Sequence, residues 1–261
     1  LGHLFLLLKD LLHIATSLAP AAGQRIECMN ASGCYWSDPN LPQGLFPVLE
    51  KYMRHLILSA FLAGASLFAI SAQAADIEEG KQYVALEPAV PVSAPGKIEV
   101  VEMFWYGCSH CYQFESTINP WIEQLPEDVH FVRIPAMFGG VWNAHGQMFI
   151  ALESMGVEHD VHAAVFDAIH KGGQKLATPE EMAAFLATQG VDSEAFLKAF
   201  NSFGVKAQVE KAKKLAAAYQ ISGVPVLIVN GKYRFDIGSS GGPTQALDVA
   251  DQLIDKERAA E

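Results

Sequence analysis

Two cysteines three positions apart, Cys108 and Cys111, with Ser109 and His110 between them, are the residues best suited to chemistry in this chain. A close thiol pair can ligate zinc, form a fixed structural bridge, or exchange a disulfide with another molecule. Zinc needs a second pair of ligands. The other two cysteines, Cys28 and Cys34, lie in an N-terminal segment that reads as foreign to the rest, and His145, His159, His162 and His170 fall at no common zinc spacing. His159 and His162, three apart on a helical pattern with no cysteine or carboxylate motif beside them, read as surface residues. A structural bridge across two residues closes a very small loop, and the entropic gain from closure grows with loop length. Thiol–disulfide exchange is the reading that remains.

The elements around the pair support it. Lys97–Tyr106 is β-branched and aromatic and reads as a strand, which Gly107 breaks. Residues 111–125 follow as a helix, bent or interrupted at Pro120, and 129–134 as a second strand. The pair therefore sits where a strand turns into a helix. Helix N-termini carry unpaired N–H groups and a partial positive charge, which lower the pKa of a thiol held there. Cys108 is thus expected to be the reactive thiolate, with protonated His110 adding positive charge nearby. Cys111, one turn into the helix and more buried, is expected to be the resolving thiol. Stabilising the reduced thiolate makes the disulfide form the stronger oxidant.

Glu102 interrupts the apolar run Val100–Phe104. A central parallel strand is covered on both faces, so this carboxylate is expected to be buried, which is costly without a partner or a task. Six residues before Cys108, it is placed to exchange a proton with Cys111. The competing reading is a solvated edge position.

Beyond the second strand the pattern changes. Residues 142–219 carry five segments of helical apolar spacing, with Thr178-Pro179-Glu180-Glu181 as a capped start and Asp192 as a further cap. Then come a strand from Val224, a tight turn at Asn230-Gly231, a partner strand, and a final helix over 244–260. The order is β–α–β, a helical block, then β–β–α. That is an α/β chain with the layout of a thioredoxin fold carrying an inserted all-helical domain: 75–141 and 220–261 form the thioredoxin part and 142–219 the insertion. In this fold the residue matching Pro225 is a cis proline facing the cysteine pair. Val224 before it can then offer backbone hydrogen bonds to an extended substrate chain.

Residues 53–74 have the layout of a secretory signal: Met53 with Arg54 and His55, an uncharged run, and Ala72-Gln73-Ala74 as a small-residue cleavage site. Cleavage is expected after Ala74, into an oxidising compartment where disulfides persist. Residues 1–52 are then expected to be an upstream extension, with translation starting at Met53; a membrane-associated extension is the alternative. The net charge is −11, and residues 1–74 hold equal numbers of acidic and basic groups, so cleavage leaves it unchanged. That charge argues against a nucleic-acid partner.

Residues 75–258 resemble the DsbA family of thiol:disulfide interchange proteins from Gram-negative bacteria. The carriers are VVEMFWYGC, CYQFE, HGQMFIALESMGVE, NSFGVKAQVEKAKKLAAAYQISGVP and VNGKYRFDIGS. The resemblance implies a redox-active Cys108–Cys111 pair, a buried acid at Glu102 and a cis proline at Pro225. It also implies a periplasmic monomer that oxidises newly exported, cysteine-containing proteins without cofactor or metal, and is reoxidised by a DsbB-like, quinone-linked membrane partner. The family usually has proline where this chain has Ser109, which bears on its redox potential rather than its fold. An isomerase or reductase, and a chaperone whose helical insertion holds unfolded chains, are the competing functions.

Overall fold

The computed structural model describes residues 25–28, 34–37 and 76–260. The chain divides into two units, 1–72 and 73–261. In the first, β1 (Arg25–Cys28) pairs antiparallel with β2 (Cys34–Ser37). Each is only four residues long, too short to show a period in sequence. The expected signal segment 53–74, its cleavage after Ala74 and the rest of 1–52 lie outside the described residues.

The second unit is built on β4 (Ile98–Phe104), whose seven residues are all buried. Its right to be central is written in its composition: both faces are apolar apart from Glu99 and Glu102. It pairs parallel with β5 (Val129–Pro135) and antiparallel with β6 (Val226–Val229), which pairs antiparallel with β7 (Tyr233–Asp236). Within residues 76–95, β3 (Val84–Ala85) closes the far edge, giving the order β3-β7-β6-β4-β5. β6 and β7 are joined through Asn230-Gly231-Lys232, with positive φ at Asn230 and Gly231. Glycine is required at 231, since a Cβ there would meet the Val90 carbonyl oxygen.

One face of the sheet, including Val100, Leu227 and Val229, packs on α1 (Ser109–Ile122) and α8 (Pro243–Arg258) through Phe114, Ile118 and Leu253. The other, with Val101, Met103 and Ile228, packs on Ala216 and Tyr219. Between β5 and β6 in the chain come α2 (Gly140–Met155), α3 (Glu158–His170), α4 (Pro179–Thr188), α5 (Ser193–Phe200) and α6 (Phe203–Ala218). Thr178 and Glu181 form the capping box expected for α4, and Asp192 caps α5. The core of these helices is continuous with Phe104, Tyr106 and Cys111, so the insertion packs directly on the end of β4 that carries the cysteines. The short helix α7 (Ile237–Ser240) precedes α8. This is a thioredoxin fold with an inserted helical domain.

Candidate active site

The turn from β4 into α1 places the thiols. Cys108 is the N-cap of α1 with extended backbone angles, φ −86° and ψ 117°, and its sulfur accepts the Cys111 N–H at 3.3 Å. This is the position at which a helix needs an acceptor. The Cys108 sulfur also lies 3.5 Å from the Val224 carbonyl oxygen, to which the protonated thiol can donate. Cys108 is half-buried and Cys111 is fully buried; both are free thiols. Trp105 lies over Gly107, where a Cβ would come 2.3–2.7 Å from the indole, and the same indole stacks on Trp142 at 3.9 Å. The helix expected to bend or break at Pro120 runs through it and ends two residues later at Ile122, so the one N–H bond that the proline forgoes lies close to the helix end.

The two thiols are driven apart in acidity. The Cys111 thiol beside it, and the backbone N–H groups of Cys111 and His110, hold Cys108 down to about 6, with the His110 imidazole adding to the effect and partial burial opposing it. Burial pushes Cys111 well above the ordinary thiol range, and the neighbouring Cys108 sulfur and the Glu102 charge push it further. The two shifts favour the charged form at Cys108 and the protonated form at Cys111.

Glu102 is fully buried, not a solvated edge residue. It stands opposite Arg133 in the β4–β5 register, and Arg133 Nε donates to Glu102 Oε2 at 3.1 Å. Glu102 Oε1 is buried without a hydrogen-bond partner. Burial dominates, raising the carboxyl to about 7 against the pull of Arg133. Arg133 also donates to Asn119 Oδ1 at 2.7 Å and approaches Glu115 at 3.4 Å. Sequence reasoning missed this arginine, whose pairing with Glu102 is set by the β4–β5 register and leaves in the sequence no more than a charge within a largely apolar strand.

His162, read from sequence as a surface residue, is buried, while His159 is exposed. The helical spacing was right, but α3 turns His162 inward against the thioredoxin part. His162 lies between Glu115 of α1, at 3.5 Å, and Glu158 of its own helix, at 2.7 Å, with the Tyr106 hydroxyl 2.9 Å from Nδ1. A second histidine of α3, His170, contacts the Tyr106 carbonyl oxygen at 2.8 Å and stacks on Tyr112 at 4.7 Å, so it touches the chain on both sides of the cysteine pair.

The Val224–Pro225 bond is cis, and Val224 and Pro225 line a cleft of about 640 Å³ with His110, Gln113, Ser222 and Phe235. The structure thus brings Cys108, His110, Cys111, Val224 and Pro225 to one place, with Glu102 behind them in the sheet. Among the described residues no group of three or more His, Cys, Asp or Glu side chains is arranged to hold a metal ion.

Known proteins resemble this chain over most of its length. The family model described as a DSBA-like thioredoxin domain matches residues 99–246. The thiol:disulfide interchange protein DsbA of Pseudomonas aeruginosa is 70% identical over 208 residues, covering 80% of this chain and 99% of its own length. Its counterpart from Azotobacter vinelandii is 67% identical over 214 residues, covering 80% of this chain and all of its own length. The crystal structure of Pseudomonas aeruginosa DsbA superposes with a TM-score of 0.70 at 71% identity, over 71% of this chain and 96% of that one. DsbA from Xylella fastidiosa superposes with a TM-score of 0.66 at 35% identity, over 70% of this chain and 98% of its own. The chain belongs to the DsbA family of thiol:disulfide interchange proteins and is a protein disulfide oxidoreductase.

Proposed function

We propose that this oxidoreductase runs in the donating direction, passing the Cys108–Cys111 disulfide to newly exported proteins in the periplasm. The observation that carries the reading is the asymmetry of the two sulfurs: Cys108 half-exposed and held down to about 6, Cys111 buried and pushed up. A substrate thiolate attacks Cys108 Sγ, and Cys111 leaves as a thiolate that takes up a proton. A second substrate thiolate then attacks the substrate sulfur of the mixed disulfide, and Cys108 leaves as the stabilised thiolate. The substrate loses two electrons and the cysteine pair gains them. A good leaving group at Cys108 drives the second step forward.

Glu102, with its carboxyl near 7, supplies the proton that Cys111 takes up and removes it again when the pair is reoxidised. Arg133 holds that carboxyl in place. Val224 and Pro225, facing Cys108, receive the substrate backbone in extended form, and the adjoining cleft takes its side chains. His110 favours the thiolate by its charge. Reoxidation falls to a DsbB-like membrane partner, and the protein acts as a monomer after the 53–74 segment is removed.

The test is trapping. Cys111→Ser, offered a substrate disulfide, should stop at a mixed disulfide through Cys108, seen by mass, whereas the native protein proceeds to release. Cys108→Ser should form no adduct. An adduct mapped to Cys111 would overturn the assignment.

A further inference from the structure

The geometry points to His162 of the helical insertion as a positioning residue for the proton exchange at Cys111, acting through the Glu115–Arg133–Glu102 chain of charges. The inference rests on the reading of Glu102 as the proton-exchanging group.

His162 is the cationic side chain that the insertion brings to the cluster. His162 is walled by the rings of Phe104, Phe149 and Phe166 on its apolar side. Its polar atoms face Glu115 from α1, Glu158 from α3 and the hydroxyl of Tyr106 after β4. Arg133 of β5 faces Glu115 from the other side and carries the chain on to Glu102 of β4. Glu153 of α2 adds negative charge at Glu158 and Tyr106. Three carboxylates in direct contact, Glu102, Glu115 and Glu158, therefore meet two cations, Arg133 and His162. With both cations charged, one carboxylate remains in excess and the cluster shares a proton as a unit.

Glu102 is the member with most reason to hold it: its Oε1, like that of Glu158, is buried with no hydrogen-bond partner, but Glu102 is the most deeply buried of the three, and burial pushes its carboxyl up. Burial works against a charge on His162, but the carboxylates of Glu115 and Glu158 outweigh it, and the imidazole stays charged to higher pH than usual. Charged His162 takes up Glu115, which leaves Arg133 to Glu102. If His162 loses its charge, Arg133 alone faces three carboxylates. Glu102 must then keep its proton to higher pH and becomes a poorer base toward Cys111. His162 thus sets the pH at which the buried thiol can be deprotonated, acting through the intervening charges.

The experiment follows the second phase of oxidation of the reduced protein by excess glutathione disulfide, in which Cys111 attacks the Cys108–glutathione bond. Trp105 beside Gly107 provides the fluorescence signal. In the native protein the rate should rise with pH through a midpoint near 7. His162→Gln should move that midpoint upward by about half a unit or more, the scale of one charge lost at a neighbouring buried site. Glu158→Gln, which removes the excess carboxylate while Glu115 still holds His162 charged, should move the midpoint downward, and serves if His162→Gln fails to fold. Glu102→Gln should abolish the midpoint. If Glu102→Gln does so while His162→Gln superimposes on the native profile or shifts downward, or while Glu158→Gln fails to shift downward, His162 has no such role and the Glu102 reading stands. If Glu102→Gln leaves the profile intact, the Glu102 reading fails.

Discussion

Reducing the cysteine pair adds a charge to the folded protein, and the structure dictates how that charge should appear in stability. The perturbation is redox state combined with pH. An unfolded thiol titrates near ~8.5, whereas Cys108 is held down to about 6 in the folded dithiol form, mainly by the Cys111 thiol beside it. A depressed folded pKa contributes stability that is fully present above the unfolded value and is lost as pH falls through the folded one. Linkage gives about 1.4 kcal/mol at pH 7 and about 2.5 kcal/mol at pH 8, and essentially nothing below pH 5. Cys108 is only half-buried, so solvent screening reduces these to roughly 1 and 2 kcal/mol. The oxidised form has no charge to benefit. Its bridge restrains the denatured chain through a short loop, worth about 2 kcal/mol independent of pH. The slope of the difference, rather than its sign at one pH, is therefore decisive. Paired urea titrations of the two forms at pH 5, 6, 7 and 8 should show the reduced form gaining on the oxidised by roughly 2 kcal/mol across that range. Above it, Cys111 acts in the opposite sense, because its unfolded thiol ionises while the folded one does not. A flat difference, or one that moves against the reduced form as pH rises from 5 to 8, would refute the thiolate assignment.

Brief alkylation of the reduced protein at pH 6.5 should label Cys108 and spare Cys111, read by peptide mass, since Cys111 is fully buried and protonated. Glu102 is raised to about 7 by burial, so its ionisation costs stability that the protein retains below the unfolded pKa and loses as pH rises through the folded one. Glu102→Gln should accordingly stabilise the protein at pH 8 by about 2–3 kcal/mol, with the gain gone below pH 4.5, as followed by urea titration. Gly107→Ala forces a Cβ into the Trp105 indole and should cost about 1–3 kcal/mol with a change in tryptophan fluorescence. Ser109→Pro falls at the first position of α1, where proline fits, so the unfolding free energy should move by less than about 0.5 kcal/mol while the redox potential changes.

Features with local causes were legible in the sequence. The thiol pair after a strand, the Thr178 and Asp192 caps, the Asn230-Gly231 turn and the buried run around Glu102 each rest on a few adjacent residues. What escaped depends on contacts between segments far apart in the chain. β3 is a two-residue strand that exists only because β7 offers it an edge. His162 and its neighbour His159 share one helix, and only the packing of α3 on the sheet decides which of them is buried. Arg133 gains its meaning from the register that sets it opposite Glu102, and no period within its own strand reveals that. Pro120 was read as a breaker because its position within the last turn of α1 depends on where the helix ends.

The central claim is that the disulfide is held at a potential suited to donation, because the dithiol form keeps a stabilised thiolate at Cys108. Equilibration of the protein against mixtures of reduced and oxidised glutathione at pH 7, with the redox state read by Trp105 fluorescence and by alkylation mass, measures that directly. The account predicts a cysteine pair that remains mostly dithiol in mixtures where glutathione itself is largely oxidised. A pair that is already mostly disulfide in strongly reducing glutathione mixtures would contradict it and mark the bridge as a structural or reductase-type one.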